Sequence, residues 1–168
     1  IAEMLKKLNL EFHDNNLKWD SALLSSYREQ LEKYGDKEGF RIFGVELKTD
    51  VEPVPSNYTL IDHHGDADDR PASLEQIAAL FNYPMDRHMR LIAANDRGYI
   101  PGMKAIQDIT TEEIIKIRED DRKAQGVTAA DELAAETAIR DNLKTRGPLT
   151  IVRNVPSGAF SAVCDRLY

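Results

Sequence analysis

The sequence predicts an α/β fold, a parallel sheet flanked by helices with a helix-rich second half, and three observations lead there. Three short apolar runs, LEFHD (residues 10–14), RIFGVEL (41–47) and YTLID (58–62), have the length of buried strands. A helix-patterned segment stands between the first and second of them, the order expected of strands joined by right-handed crossovers. Helix signals then dominate the remaining chain.

Taken in order, IAEMLKKL reads as the tail of an amphipathic helix, and so as part of a longer chain. In WDSALLSSYREQLEKYG (19–35), Leu23, Leu24, Tyr27, Leu31 and Tyr34 share one helical face, and Gly35 closes it. A loop with Pro53 and Pro55 separates the second and third apolar runs. Pro71 and the pair Ser73 and Gln76 announce a helix over LEQIAALF, and Pro84 a second through MDRHMRLIAAND. Thr110 with Glu113 opens another before IIKIR. An alanine-rich helix is expected from about Thr128 to Lys144, ended by Gly147 and Pro148. The closing stretch, LTIVRNVPSGAFSAVCDRLY, reads as a pair of strands. No repeat or linker interrupts this order, so residues 1–168 read as a single domain.

Composition narrows the function. With 168 residues, 42% of them hydrophobic and 30% charged, the chain can bury one core unaided. No apolar run reaches the roughly 18 residues a membrane span requires. A single cysteine, Cys164, has apolar flanks, which favours a buried thiol and a reducing, cytoplasmic setting. A net charge of -7 argues against a face for extended nucleic-acid duplexes. Lys104, Lys116, Arg118, Arg122 and Lys123 alternate with acids and read as a salt-bridged, solvated face. Phe12, Trp19, Tyr27 and Phe43 read as core, and His88 as packed against its helix.

Chemistry concentrates in YTLIDHHGDADDR (58–70), where an apolar run ends in an acid, two histidines and three further acids. Imidazole and carboxylate suit manganese, iron, cobalt or zinc, and a strand end fixes their directions. Successive side chains on an extended chain alternate sides, so one ring should take the metal and the other face a substrate. The competing reading makes Asp62 a loop cap, with Asp66, Asp68 and Asp69 in a solvated turn. The residues alone leave the two level. Arg90 and Arg97, close to Asp96 in sequence, offer the local positive charge a phosphate needs.

The strand ending in Asp62-His63-His64, followed by a helix and then a second ending LIAANDRG, resembles the DHH phosphoesterase family. WDSALLSSY is similar to that family's first motif, through Asp20, Ser21 and Ser25. The resemblance spans about residues 10–100. It implies a doubly wound, Rossmann-like sheet and a manganese site that hydrolyses phosphoester or phosphoanhydride bonds. Implied substrates are pyrophosphate, polyphosphate, short oligonucleotides or cyclic dinucleotides. Carried over by position, Asp20, His63 and Asp96 become metal ligands and His64 the catalytic, substrate-facing histidine; Arg97 is read as a substrate contact from its charge beside Asp96, not from the resemblance.

The departures are chemical. In the register that aligns Asp20, the other first-motif positions hold Asp14, Asn16 and Lys18, and a protonated lysine cannot ligate. Either one or two ions follow. The family's second acid has only Glu46 and Asp50 as candidates, and the substrate module that usually follows is not in these residues. Two functions stay open: metal-dependent hydrolysis of a small phosphorylated substrate, and a relative that binds a nucleotide or protein without hydrolysis. Monomer and oligomer are both compatible with the sequence.

Overall fold

Strands of only four residues set the scale of the sheets, and they overturn the doubly wound expectation. The computed structural model describes residues 1–67 and 69–168; Asp68 and the Trp19 side chain, on which the acidic-turn and aromatic-core readings partly fall, lie outside the described residues. Among the described residues the chain is 52% helical, with one two-stranded parallel sheet and one two-stranded antiparallel sheet, and no extended Rossmann-type sheet forms. No helix among them is long and apolar enough to cross a membrane. The chain divides into two compact units, Ile1–Arg97 and Gly98–Tyr168.

The first unit contains α1 (Ala2–Lys7), α2 (Arg28–Tyr34), β1 (Ile42–Val45), β2 (Tyr58–Ile61), α3 (Ser73–Leu80) and the opening turns of α4 (Arg87–Lys104). β1 and β2 pair in parallel, with Ile42 opposite Tyr58 and Val45 opposite Ile61. The expected first strand does not form. Residues 10–14 carry three exposed polar side chains among five, and Glu11 spends its carboxylate on Tyr34 Oη (2.8 Å) and His13 Nε2 (3.2 Å). The run then breaks into a turn, where Asn16 adopts φ 49° and its N–H donates to Asp14 Oδ1 (2.8 Å). Residues 22–24 take the place beside the sheet instead, through Lys48 N–H to Ala22 O (2.8 Å) and Leu24 N–H to Lys48 O (3.0 Å).

Met4, Ile61, Leu74, Ile77 and Ala78 form the buried core of this unit, with Phe43 and Phe81 packed edge-on beside it. Gly44 is demanded by its neighbour, because a Cβ there would overlap the Tyr58 ring and hydroxyl. His88 is exposed rather than packed.

The second unit holds the end of α4, α5 (Thr111–Ala124), α6 (Ala129–Asn142), the hairpin β3 (Leu143–Arg146) and β4 (Leu149–Val152), and α7 (Phe160–Leu167). The capping box of Thr110 with Glu113 opens α5 as expected, and α6 opens at the expected place through a second box that was not among those expected, Thr128 with Asp131. The final residues pair differently from the expected strands. Gly147, at φ 57°, and Pro148 make a two-residue turn that folds β4 back onto β3, and the residues after Pro156 are helical. Ala135, Ala159, Ala162 and Val163 make the small core.

A buried ionic network holds this unit together and corrects the solvated-face reading of its basic residues. Arg118 and Arg122 are buried, and both donate to Asp165, Arg118 through Nε at 2.9 Å and Arg122 through Nη1. Arg118 also reaches Asp121 (2.6 Å), and Arg122 reaches Glu132 (2.7 Å). Lys104, Lys116 and Lys123 are exposed as expected, Lys116 paired with Asp120 at 2.9 Å. The Tyr99 hydroxyl donates to Asp165, and the Arg118 guanidinium lies 4.4 Å from the centre of the Tyr99 ring. Tyr99 interrupts α4 at φ 54° and ψ -145°, a conformation costing about 1–3 kcal/mol in a side-chain-bearing residue. The network outweighs that cost.

Asp165→Ala strands two buried guanidinium groups, and it should lower the unfolding free energy in urea by about 3–5 kcal/mol. A loss no larger than that of an exposed pair such as Lys116–Asp120 would contradict the assigned role. Burial, followed by the Asp165 contact, pushes the Tyr99 phenol above its usual 10.0. The fold therefore favours the neutral phenol: its contribution is intact below pH 10.0 and is lost as pH rises beyond it. Alkaline titration followed by phenolate absorbance should show a late-ionising tyrosine that Tyr99→Phe removes.

Candidate metal centre

Parallel pairing places the carboxyl ends of β1 and β2 side by side, and the residues that follow both strands meet there. Glu46 comes directly after β1, at φ 53°, and its N–H donates to Ile61 O (2.9 Å). Asp62, His63 and His64 come directly after β2. Gly65, at φ 59°, then starts a 3-10 turn, Gly65–Ala67, that takes the chain off the strand direction.

Asp62 organises this turn through one oxygen. Its Oδ1 accepts from the N–H of His63 (2.7 Å), the N–H of His64 (3.0 Å) and Nδ1 of the His64 ring (3.0 Å). Burial alone would raise this carboxyl; the His64 ring and the two N–H groups override it and hold Asp62 below its usual range. The clamp also folds the two rings onto one side, with centroids 4.1 Å apart and planes tilted by 39°. Strand-like alternation therefore does not separate them.

His63 is buried, with 6% of its surface exposed. Its Nδ1 lies 3.2 Å from Ser73 Oγ, 3.3 Å from the Ser73 N–H and 3.5 Å from Glu46 Oε1. Its Nε2 is fully buried, makes no hydrogen bond and faces Asp96 Oδ2 at 3.5 Å. Both tautomers have hydrogen-bonding partners at Nδ1. With the proton on Nδ1, Ser73 Oγ accepts it and Nε2 presents a lone pair; with the proton on Nε2, the Ser73 N–H donates to Nδ1. Gln76 ties the helix start to the strand end, donating to Asp62 O (2.9 Å) and Pro71 O (2.8 Å). Glu75, rather than Gln76, closes the cap by accepting from the Ala72 N–H (2.9 Å).

Glu46, His63 and His64 each offer a ligand atom, all within 4.8 Å of one another, and this cluster could hold a metal ion. Two donors about 2.1 Å from a shared ion stand roughly 3 to 3.5 Å apart, so the Glu46–His63 separation fits. The residues also supply the right chemistry, with borderline nitrogen and hard oxygen donors around a buried imidazole. No family model matches the chain, and no curated protein or solved structure matches it. Geometry alone therefore supports the site.

The structure brings together His63, His64 and Asp96 from the residues singled out in the sequence. Asp20 is exposed on the 3-10 turn Trp19–Ser21 and is not a member of the cluster. Lys18 and Asn16 are exposed, and Arg97 is exposed on α4. Arg90 donates through Nη1 to Met85 O (2.6 Å). Of the two candidates for a second acid, Glu46 enters the cluster, while Asp50 is engaged by the Ser25 N–H (2.8 Å) and Oγ (2.5 Å). The signal for Glu46 was positional, since it follows RIFGV as Asp62 follows YTLI. Ser73 carried no ligand signal, because its role is to hold the imidazole.

Gln76→Ala removes both tethers across the mouth of the turn. Amide exchange at residues 62–64 should quicken by about tenfold, the equivalent of one hydrogen bond's net worth, while α5 and α6 exchange as before. Unchanged exchange at 62–64 would show that α3 does not hold the site.

Proposed function

We propose that this chain is a metal-dependent phosphohydrolase acting on a small phosphorylated substrate or short oligonucleotide, with manganese as the preferred ion. The observation that supports the reading is the cluster itself: Glu46, His63 and His64 each bring a ligand atom within 4.8 Å of the others, around a buried ring that has a carboxylate 3.5 Å from each nitrogen. The resemblance of the Asp62-His63-His64 run to DHH phosphoesterases adds the reaction class.

When bound, a divalent ion supplies Lewis-acid polarisation of a phosphoryl oxygen. The protein's part is to hold and orient. Glu46 and His63 bind from adjacent strand ends, Ser73 fixes the ring plane of His63, and Asp96 stands at its far nitrogen. Arg97, next to Asp96 on α4, supplies the positive charge for a phosphate oxygen. A second reading, binding of a nucleotide or protein without hydrolysis, is favoured by one observation: Asp20, with Asn16 and Lys18 in the same segment, stays outside the cluster.

Purified protein loaded with Mn2+ should hydrolyse pyrophosphate or a chromogenic phosphodiester. His63→Ala should lose at least about a hundredfold in rate while keeping its thermal unfolding profile. Mn2+ binding without turnover on either substrate would decide for the binding reading. Failure to bind Mn2+, Co2+ or Zn2+ would remove the hydrolytic reading.

A further inference from the structure

The carboxylate of Asp62 touches no described ligand atom of the cluster except through His64, and that contact determines how His64 can act. A carboxylate accepts only from a protonated ring nitrogen, so the 3.0 Å contact between Asp62 Oδ1 and His64 Nδ1 places the ring proton on Nδ1. In the neutral ring, the form that can ligate, the lone pair then sits on Nε2. Metal-bound histidines are held this way, with a carboxylate or carbonyl on the second nitrogen fixing both the tautomer and the ring direction. The same Asp62 oxygen takes the N–H groups of His63 and His64, so the backbone that sets the ring cannot shift independently of it.

The neighbouring ring completes the argument. His63 and His64 have centroids 4.1 Å apart, and His64 falls within the same 4.8 Å set of ligand atoms as Glu46 and His63. His63 is itself more than nine-tenths buried, with a carboxylate 3.5 Å from each ring nitrogen, Glu46 at Nδ1 and Asp96 at Nε2. Asp20, Asn16 and Lys18 add no ligand atom to this set.

Resting on the metal-dependent reading above, we infer that His64 is a metal ligand through Nε2, held in place by Asp62 as a positioning residue, and that Glu46, His63 and His64 form a centre for a single divalent ion. This reverses the substrate-facing role that the family resemblance implies for His64. It also changes the chemistry. Two histidines and one carboxylate around one ion leave open positions for water and for a substrate oxygen, the arrangement of one-metal hydrolytic sites.

The test uses the full chain loaded with Co2+, following binding by calorimetry and counting ligand rings from hyperfine-shifted histidine signals in proton NMR. One Co2+ per chain and shifted signals from two histidines are expected. His64→Ala should lose one set of ring signals. Asp62→Ala should weaken Co2+ binding by about 10–100-fold, and Asp62→Asn, which keeps an acceptor oxygen for the ring, should recover most of that loss. Circular dichroism melts of each variant separate a lost ligand from a lost fold. Should His64→Ala bind Co2+ as tightly as the parent chain, with the two-histidine spectrum unchanged, the inference is overturned while the metal-dependent function stands. Two Co2+ ions per chain would overturn it equally. A parent chain that binds no Co2+ at all removes the function itself.

Discussion

In-register parallel pairing of Ile42–Val45 with Tyr58–Ile61 is the constraint from which the site follows. Parallel strands end together, so whatever each strand carries just past its last hydrogen bond is delivered to one edge. Here that is Glu46 from one strand and Asp62, His63 and His64 from the other. The pair needs no large sheet to achieve this. Ile61, Leu74 and Ile77 bury one side of it, and Gln76 fastens the helix start to the backbone of Asp62. A small scaffold therefore holds four chemistry-bearing residues in place with one core cluster and a few hydrogen bonds.

The second unit solves a different problem. Ile100, Met103 and Ile117 are buried in it, but the cluster between α6 and α7 is made largely of alanines, which bury little apolar surface each, and Leu133, Leu149 and Phe160 stay exposed. Charge-assisted bonds do part of the work that apolar packing does elsewhere. Asp165 collects Tyr99, Arg118 and Arg122, and Glu132 extends the chain of contacts to Arg122 and Arg166. Removing two guanidinium groups from water is expensive unless every donor direction is answered, and here Asp121, Ser161 and Glu132 answer those that Asp165 does not.

Local signals were legible in the sequence, and long-range ones were not. The alanine-rich run from Thr128 announced its helix by its periodicity, and Thr110 announced its own because a capping box is satisfied within four residues. Gly35 closed α2 for the same reason, its N–H reaching Leu31 O at 2.7 Å. The sheet failed because strand identity depends on a partner. LEFHD and RIFGVEL are equally apolar to the eye, yet only the second finds a neighbour, and residues 22–24 take the place expected for the first. Arg118 and Arg122 misled in the same way: their helical spacing looks solvated until Asp165 arrives from 43 positions away for Arg122 and 47 for Arg118. At the site, His63 was visible from its triplet. Its neighbour in space, Glu46, was one of two equal candidates, and only the strand register separated it from Asp50.

Glu46 carries a tension of its own. A left-handed backbone suits glycine, asparagine or aspartate, and a glutamate at φ 53° is held against its preference by the bond from its N–H to Ile61 O. Shorter acids would relax the main chain but withdraw the carboxylate by one methylene, and glycine would relax it further while deleting the arm. Position 46 is thus where conformational comfort and reach pull in opposite directions. Descendants of this chain released from keeping the arm would drift there first, toward residues that sit easily in a left-handed bend.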